Sequence, residues 1–437
     1  MDILQTRMAP EDVAHILAGA GALAEVRPNP PEAVAEGGAA AWVEPQDEAQ
    51  VADVLRVCAE RRWTVIPVGA GTQLGAGHVG PAPDVWLSLS RMNRLLDHAP
   101  GDLVVTVQPG LTLAALQAHL ADARQMLPLD PPVDDTATLG GILATGVSGP
   151  RRALYGTLRD MTIALRVVYP DGRVIKTGAK VVKNVAGYDM TKLFVGSCGT
   201  LAVITEATFK LRPLPLHRET VFLTGDLGQI QALRRRIVGS NLIPSRLEIL
   251  GGAFRAPLVP SPGAWTLAVD CDENRASAEA QTRQLLAWAK ELSLQTEVAA
   301  GEAADAAWAQ YRDEIREGEL CLRFQAKPSA LAELAERLQR FAGSRGWVSR
   351  VSAGAISGVG RWSVSGGDAP GYAQAIREGR ALCAEQGGAL VVERAAAEVR
   401  TLVNPFGASP AHPLMEQVKR TIDPNGVLSP GRFVGGI

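Results

Sequence analysis

The sequence has little net charge, few cysteines and no long apolar run. Its 44 Lys and Arg residues nearly balance 46 Asp and Glu residues, which leaves a formal net charge of -2 in a chain of 437 residues. Without a general basic field, the chain is expected to bind neither nucleic acid nor an anionic lipid surface. No stretch approaches the roughly 20 apolar residues that a spanning helix needs, and no basic segment precedes an apolar one at the N-terminus. We therefore expect a cytoplasmic protein without direct membrane insertion, associated with a membrane only through partners.

The scarcity of cysteine excludes two further classes of protein. The five cysteines are odd in number and lie fifty or more residues apart, at Cys58, Cys198, Cys271, Cys321 and Cys383. This spacing suits neither a disulfide framework nor the clustered thiolates of a zinc or iron–sulfur centre. We expect reduced, mostly buried thiols and no metal site, because free cysteine commonly behaves as a small apolar core residue.

Glycine, in contrast, is abundant and unevenly placed. The chain has 45 glycines, above the usual share of about 7%, and they cluster between residues 69 and 200. Single hydrophobic cores stop growing near about 250–300 residues, so a chain of this length is expected to form two domains. The glycine clusters end before Arg212-Pro213-Leu214-Pro215, and we place the domain boundary there.

The second part of the chain shows the same order of elements twice. The patterns predict strand 219–224, helix 227–238, strands 245–250 and 265–270 and helix 274–292, then strand 319–324, helix 329–342, strands 347–352 and 360–365, helix 371–386 and strand 389–393. This repeated β-α-β-β-α order is typical of a duplicated ferredoxin-like unit in one antiparallel sheet. The alanine-rich run 298–308 is interpreted as helix. The fold class is therefore α+β.

The first glycine segment follows a short buried strand, 63–68. A dinucleotide-binding helix is excluded there, because Gly75, Gly77, Gly80, Pro81 and Pro83 would fall inside it, at about 1 kcal/mol for each glycine and about 3 for each proline. A P-loop is excluded as well, since no Gly-Lys-Ser/Thr follows. The segment is expected to be an irregular loop of backbone N–H donors, which can bind an anion.

Two more glycine-rich segments, Leu139–Pro150 and Gly196–Thr200, are interpreted as loops of the same domain. For any one of the three segments, an ordinary turn is an equally good interpretation. Three of them together favour close backbone approach to a long ligand with a pyrophosphate and a flat ring system. Flavin adenine dinucleotide, FAD, is such a ligand.

Four segments in order carry a family resemblance. They are Val68–Gly77, Leu139–Pro150 with Tyr155-Gly156 after it, Lys183–Asp189 followed by Gly196–Glu206, and Ile422–Arg432. They resemble the FAD-linked oxidases of the vanillyl-alcohol-oxidase (PCMH-type) group, and within it most closely the FAD-binding E subunit of bacterial glycolate oxidases. The resemblance implies an N-terminal segment 1–34, a two-part PCMH-type FAD-binding domain 35–214, an antiparallel cap domain 215–410 and a segment 411–437 that returns to the flavin domain.

The resemblance also implies the cofactor contacts. The pyrophosphate would lie on residues 69–74, the ring on the second glycine segment and the adenine near the third. The implied contacts are Val68, Gly69, Ala70, Gly71, Thr72, Gln73, Leu74, Gly77, Pro131, Thr138, Gly140, Gly141, Ala144, Thr145, Ser148, Gly149, Tyr155, Gly199, Val203 and Ile204. Some members of the group tether the flavin through a His after the first glycines, where this chain has Thr72. We therefore expect non-covalent FAD.

Catalytic residues are harder to assign. Oxidation of a 2-hydroxy acid needs a base for the hydroxyl proton, and beyond residue 214 the only histidines are His217 and His412, for which structural roles are favoured. Relatives that oxidise D-2-hydroxy acids carry a His cluster and a Glu-His-Gly type segment in the cap, and both are missing here. Weaker candidates are Tyr311 and Glu393 as a base, His78 as a flavin or phosphate contact, Arg151, Arg152, Lys180, Lys183 and Lys192 as anion or flavin contacts or solvated side chains, and Arg323 as a carboxylate contact or a salt bridge to a partner.

Three hypotheses remain open. The favoured one is an FAD-binding subunit of a glycolate oxidase complex, in which a sister flavin subunit carries the acid–base residues and an iron–sulfur subunit accepts electrons. The second is a self-sufficient FAD-dependent oxidoreductase acting on an alcohol or 2-hydroxy acid. The third is a scaffold whose flavin takes no part in catalysis.

Overall fold

The computed structural model describes residues 8–19, 25–31, 40–179 and 188–437. The helices are α1 Pro10–Gly19, α2 Glu48–Arg61, α3 Leu113–Asp122, α4 Leu139–Thr145, α5 Arg152–Tyr155, α6 Leu158–Met161, α7 Thr191–Phe194, α8 Leu227–Val238, α9 Arg275–Glu291, α10 Glu302–Glu314, α11 Leu331–Gly343, α12 Ala369–Glu385, α13 Ala397–Thr401 and α14 His412–Ile422. None of the helices in these ranges is long and apolar enough to span a lipid bilayer.

The strands fall into two groups along the chain. The first group is β1 Glu25–Arg27, β2 Ala41–Glu44, β3 Val65–Val68, β4 Val85–Ser88, β5 Leu95–Ala99, β6 Val104–Val107, β7 Gln125–Met126, β8 Thr162–Val168, β9 Val174–Gly178, β10 Val203–Lys210 and β11 Arg212–Pro213. The second group is β12 His217–Gly225, β13 Arg246–Gly252, β14 Trp265–Glu273, β15 Gln295–Ala300, β16 Leu320–Gln325, β17 Val348–Gly354, β18 Val359–Ser365 and β19 Ala389–Arg394.

The first group forms the predicted flavin domain, which has two parts. A four-stranded sheet has the order β1-β2-β4-β3, in which β2, β4 and β3 are parallel. A five-stranded antiparallel sheet has the order β5-β6-β10-β8-β9, and β7 pairs with β11 beside it. Helix α2 packs Val51, Val54 and Leu55 against the first sheet, and the side chain of Asp47 caps its N-terminus by accepting from the Gln50 N–H at 2.9 Å. Most apolar side chains of the two sheets fall into two clusters, and Val168 of β8 and Val203 of β10 pack in the cluster of the first sheet.

The second group forms one eight-stranded antiparallel sheet, the cap sheet, in the order β15-β12-β14-β13-β17-β18-β16-β19. Its halves, β12-α8-β13-β14-α9-β15 and β16-α11-β17-β18-α12-β19, are two ferredoxin-like units joined where β13 pairs with β17. The predicted α+β fold with a duplicated antiparallel cap is therefore confirmed.

One predicted element of the cap is wrong at its start. Residues 298–300 of the alanine-rich run belong to strand β15, where Val298 lies opposite Val221 of β12. Helix α10 begins only at Glu302, because Gly301 has a φ of 53° and separates the two elements. Alanine composition favoured a helix, but the unpaired edge of β12 accepts this segment as a strand.

The two faces of the cap sheet differ in polarity. Side chains alternate between the faces of a strand, so neighbouring residues point in opposite directions. One face packs apolar side chains such as Leu247, Val351 and Trp362 against helices α8, α9, α11 and α12. The other face, turned toward the flavin domain, carries buried polar side chains at Arg246, Glu248, Asp270, Ser352 and Arg361.

The C-terminal segment crosses back to the flavin domain. The Val65 N–H donates to the Val427 carbonyl at 2.7 Å, and the Ser429 N–H donates to the Val65 carbonyl at 2.9 Å, so the segment extends the edge of β3. Buried Lys419 holds the turn before it through Asp423 Oδ2 at 2.6 Å and the Leu428 carbonyl at 2.8 Å. Residues from opposite ends of the sequence therefore meet beside the first glycine segment.

Candidate functional site

The first glycine segment is the irregular loop that its glycines and prolines predict. Residues 69–84, between β3 and β4, contain no helix. In the described parts of the chain, the backbone N–H groups of the four consecutive residues Ala70 to Gln73 donate no hydrogen bond. Adjacent free N–H donors form a site for an anion, and we call residues 69–77 the glycine loop.

The second glycine segment does not form the loop that its glycines predict. Its first half is helix α4, because Thr138 caps the N-terminus by accepting from the Gly141 N–H at 3.3 Å and Gly146, with a φ of 66°, ends the helix. Gly140 lies in the first turn, where a Cβ atom would stand 2.7 Å from the Cβ of Pro109. The glycines here allow the start of a helix to pack closely against its neighbours, and they do not form an open loop. The sequence Thr138-Leu139-Gly140-Gly141 did not by itself indicate this helix.

The third glycine segment closes against the same helix. The Cys198 N–H donates to the Ala144 carbonyl at 2.7 Å, and the Gly196 N–H donates to the Leu143 carbonyl at 2.8 Å. The backbone turns sharply here, with φ values of 53° at Cys198 and 68° at Gly199. All three segments thus meet around α4.

Between these segments runs one cleft, made of two adjoining cavities of about 710 and 500 Å³. Most of the predicted cofactor contacts line it: Val68, Gly69, Ala70, Gly71, Thr72, Gln73, Leu74, Gly77, Thr138, Gly140, Gly141, Ala144, Thr145, Gly199, Val203 and Ile204. Among the described residues that line the cleft, Arg432 is the one with a charge. Free N–H donors, glycine walls and one cation suit a ligand with a pyrophosphate, so the cleft fits FAD.

The other four predicted contacts are not among the residues that line the two cavities of the cleft. Pro131 lines a separate cavity with Trp308. The Ser148 carbonyl accepts from Arg361, and a Cβ atom at Gly149 would stand 1.8 Å from the Asp130 carbonyl oxygen. The Tyr155 hydroxyl donates to Asp272 Oδ1 at 3.2 Å. Ser148 and Tyr155 thus make hydrogen bonds to the cap, whereas Gly149 packs against Asp130 of its own domain.

A further cavity of about 510 Å³, which we call the third cavity, separates the glycine loop from the cap sheet. Thr72 and Gln73 line its flavin-domain side, and Arg361, Glu393 and Arg394 line its cap side. Glu393 accepts from Arg361 Nε at 2.9 Å and lies 3.3 Å from Arg323 Nε. The cavity is therefore rich in guanidinium groups, while its carboxylate is already paired.

A row of hydrogen-bonded side chains continues from this cavity across the cap sheet. Ser352 lies opposite Arg361 and donates its hydroxyl to Glu248 Oε2 at 2.5 Å, and the Tyr311 hydroxyl lies 3.0 Å from Ser352 Oγ. Burial raises the pKa of Glu248 to about 7, against the partial opposing effects of Ser352 and Arg361. A carboxyl group with this pKa changes its charge near neutral pH.

A second buried network fixes the cap to the flavin domain. Arg246 Nε donates to Asp130 Oδ2 of the flavin domain at 2.8 Å, and Arg246 Nη1 donates to Asp270 Oδ2 at 2.5 Å. Arg151 is 8% exposed beside it, and burial together with the charge of Arg246 lowers its pKa to about 10. Arg246 thus compensates the charge of one carboxylate in each domain, and this buried network fixes the position of the cap against the flavin domain.

The weaker candidates take structural positions. His217 Nε2 lies 3.1 Å from Glu219 Oε1. The ring of His78 packs against Phe406, with 6.0 Å between ring centroids, and burial lowers its pKa. His412 begins helix α14 without capping it, and its ring packs against Gly435.

The basic and phenolic candidates that lie in the described part of the chain do not line the cleft either. Arg151 is buried rather than solvated, and Arg152 is half-buried. Arg323 pairs with Glu393 of the same chain. Lys192 pairs with Asp189 at 3.2 Å, and burial raises the pKa of Tyr311. Lys180 and Lys183, with most of the Lys183–Asp189 motif, lie outside the described residues.

Two features of the site were missed by sequence reasoning. One is the polar row, although its signal was present, because Arg246-Leu247-Glu248 and Arg361-Trp362-Ser363 alternate polar and apolar residues inside predicted cap strands. The other is Arg432, the last residue of the C-terminal motif, because the motif gives no indication that this side chain lines the cleft.

Comparison with known proteins agrees with this geometry. Residues 39–178 match the family model described as an FAD binding domain. Glycolate oxidase subunit GlcD of Bacillus subtilis is 35% identical over 211 residues, which cover 48% of this chain and 45% of that protein. Glycolate oxidase subunit GlcE of Escherichia coli is 42% identical over 122 residues, covering 28% of this chain and 35% of that protein. The mitochondrial cytochrome-type D-lactate dehydrogenase of Arabidopsis thaliana is 38% identical over 173 residues, covering 40% of this chain and 30% of that protein.

These matches span half or less of the length of each relative. The crystal structure of p-cresol methylhydroxylase (PCMH) is similar to this one with a TM-score of 0.71, at 17% sequence identity, over 90% of this chain and 88% of that chain. Identity this low shows the fold alone. Residues 39–178 therefore match the FAD binding domain model, and the chain has the PCMH-type FAD-binding fold.

Proposed function

We propose that this chain holds FAD non-covalently in the cleft and is the FAD-binding subunit of a glycolate oxidase complex. The observation that carries the proposal is the row of free N–H donors at Ala70 to Gln73, which face a cleft built from three glycine segments. The pyrophosphate would lie on these donors. Thr72 cannot form the covalent flavin link that a histidine forms, and the other residues lining the cleft are mostly apolar or glycine.

Bound FAD supplies a hydride acceptor, and the protein supplies binding, orientation and charge. The third cavity supports a substrate with a carboxylate, because Arg361 and Arg394 both line it. Planar guanidinium groups bind carboxylates through paired hydrogen bonds. A small 2-hydroxy acid such as glycolate carries this carboxylate next to the carbon that is oxidised.

The subunit role is supported by the lack of a suitable base among the described residues that line the third cavity. No histidine is found among the described residues that line it, and Glu393 is held by Arg361 and Arg323. A carboxylate whose oxygens already contact two guanidinium groups is poorly placed to accept a proton from a substrate hydroxyl. We propose that a sister catalytic FAD subunit supplies the base and that an iron–sulfur subunit accepts the electrons, with the complex cytoplasmic or held at a membrane by its partners.

One observation favours a second candidate function, a self-sufficient oxidoreductase. Glu248 has a pKa of about 7, which suits a general base, and the row through Ser352 and Arg361 leads from it toward the third cavity. Its side chain lies behind Arg361 rather than in the cavity lining, so the subunit role is favoured.

The test is an anaerobic absorbance titration of the purified chain with glycolate and with D-lactate. Flavin must first be released into solution when the protein is denatured with acid, and retention on the polypeptide would contradict non-covalent binding. Oxidised flavin that stays unreduced in the isolated chain, but is reduced after partner subunits are co-expressed, supports the subunit role. Bleaching of the isolated chain by either acid supports the self-sufficient enzyme. Flavin that remains oxidised while the full complex turns over indicates a scaffold.

A further inference from the structure

The C-terminal tail, residues 427–432, lies directly on the glycine loop. A Cβ atom at Gly77 would stand 2.5 Å from the Arg432 carbonyl oxygen, and one at Gly80 would stand 2.7 Å from the Pro430 carbonyl oxygen. Arg432 Nη2 also donates to the Leu74 carbonyl at 3.3 Å. The loop thus has glycine at the two points where the tail backbone needs room, and the two segments form one wall of the cleft.

The guanidinium group of Arg432 lies in the cleft without a carboxylate partner. Within the described parts of the chain no Asp or Glu forms an ion pair with it. Burial and the nearby charge of Arg400 lower its pKa, although a guanidinium keeps its proton at neutral pH. A half-buried cation with only one weak carbonyl acceptor is poorly compensated, so a bound anion beside it would be stabilised.

The N–H donors of the glycine loop provide the matching half of such a site. Ala70 to Gln73 line the same cavity as Arg432, and no acidic side chain does so among the described lining residues. Backbone dipoles and a single guanidinium then act on one group of the ligand. We infer that Arg432 binds the pyrophosphate of the cofactor, so that the C-terminal tail completes the phosphate subsite and selects a dinucleotide over a mononucleotide flavin. This inference rests on the proposed binding of FAD in the cleft.

The experiment measures dissociation constants of the cofactor-free protein for FAD, ADP and riboflavin. ADP carries the pyrophosphate without the flavin, and riboflavin carries the flavin without a phosphate. Arg432→Met removes the charge at similar length, and Arg432→Lys keeps it. The matched control is Arg420→Met, because Arg420 is 76% exposed on α14 and pairs with Glu416.

Arg432→Met is expected to weaken FAD and ADP binding about 10- to 100-fold, the usual range for a hydrogen bond to a charged group. Riboflavin binding should stay within about twofold, because the interaction involves only the phosphates. Arg432→Lys should retain most of the affinity, and Arg420→Met should match the wild type. Unchanged FAD and ADP binding by Arg432→Met overturns the inference, and so does an equal loss of riboflavin binding, which indicates a brace for the loop through Leu74.

A second measurement needs no variant. FAD and ADP should protect Arg432 of the wild type from an arginine-specific dicarbonyl reagent, as read by mass spectrometry, while riboflavin should not, and Arg420 should react equally in all samples. Modification of Arg432 at the same rate with and without ADP overturns the inference. A wild-type protein that binds neither FAD nor riboflavin contradicts the proposed function itself, which separates that failure from a failure confined to Arg432.

Discussion

Arg361 of the cap sheet donates a hydrogen bond from Nη2 to the backbone carbonyl of Ser148 at 2.6 Å. Ser148 belongs to the second glycine segment of the flavin domain, so a charged side chain of one domain is anchored on the backbone of the other. The same guanidinium donates to Glu393 at 2.9 Å. The third cavity is therefore shaped by a contact that joins the domains.

Replacement of Arg361 by Met should destabilise the protein by about 3 kcal/mol, because Glu393 would lose its nearer cation in a largely buried position. Arg361 is 10% exposed and Glu393 21% exposed in their side chains. Burial alone would lower the pKa of Arg361, but the Glu393 carboxylate raises it, consistent with a stabilising pair. Urea unfolding followed by far-ultraviolet circular dichroism measures the change.

The control for this variant is Arg337→Met. Arg337 pairs with Glu385 between helices α11 and α12, and the two side chains are 34% and 50% exposed. An exposed ion pair contributes about 0–1 kcal/mol. A loss in Arg361→Met no larger than in Arg337→Met would show that the contact with Ser148 and Glu393 adds nothing to stability.

Glu248 should make the stability of the protein depend on pH. Its folded-state pKa of about 7 lies above the ordinary glutamate value of 4.5, because the carboxyl is buried among Ser352, Arg361, Arg152, Asp130 and Tyr311. The native state then holds the proton more tightly than the unfolded chain. The stability that the protonated Glu248 contributes is fully present below about pH 4.5. It is lost as the pH rises through about 7, and the loss amounts to about 3 kcal/mol.

Glu248→Gln tests this dependence. The wild type should lose about 3 kcal/mol of unfolding free energy relative to Glu248→Gln between pH 4.5 and pH 7.5. The reason is that glutamine has no proton to lose over this range. Glu333→Gln, on the exposed side of α11, serves as the control and should run parallel to the wild type. Parallel curves for Glu248→Gln as well would indicate that the buried carboxyl keeps an ordinary pKa.

Gly69 and Thr138 should be energetically coupled. A Cβ atom at Gly69 would stand 2.0 Å from Thr138 Oγ1, the atom that caps α4. Gly69→Ala is expected to cost about 1–3 kcal/mol through overpacking and Thr138→Ala about 1 kcal/mol through loss of the cap. The double variant should cost less than the sum, because removing Oγ1 relieves the main clash. Unfolding free energies of the four proteins give the coupling, and additive losses would contradict the contact.

Gly77→Ala should weaken FAD and ADP binding about tenfold without any change in a charged residue. Gly77 has a φ of 75°, and its new Cβ would displace the Arg432 carbonyl and with it the tail. Fluorescence titration of the cofactor-free protein measures the affinity. Gly101→Ala is the control, since a Cβ atom there meets nothing within 4 Å. Equal affinities in both variants would mean that the tail position does not affect the cleft.

Local sequence patterns were sufficient for most of the elements. The cap strands and helices followed from their periodicity, and the repeated order predicted two ferredoxin-like units. The five cysteines are all free thiols, four of them buried and Cys198 half-buried, as their spacing indicated. These features depend on residues that are near one another in the chain, which is why a pattern in the sequence reveals them.

Helix α4 and strand β15 were misread for opposite reasons. Glycines at 140 and 141 made the second segment look like a loop, but the Thr138 cap and contact with Pro109 stabilise a helix there. Alanines after Val298 made β15 look like a helix, but the free edge of β12 provided hydrogen bonds for a strand. In both cases a tertiary contact outweighed a local preference of about 1 kcal/mol per residue.

The sequence by itself determined that residues 69–84 form a loop, since the combined cost of so many glycines and of Pro81 and Pro83 exceeds what local contacts return in a helix. Only the tertiary structure decided which groups share the cleft. It brought Arg432 to the glycine loop across more than 350 residues of chain, and it joined Ser148 and Tyr155 to the cap by hydrogen bonds. Such distant contacts are selected by the combined burial and charge of both domains, and no local periodicity encodes them.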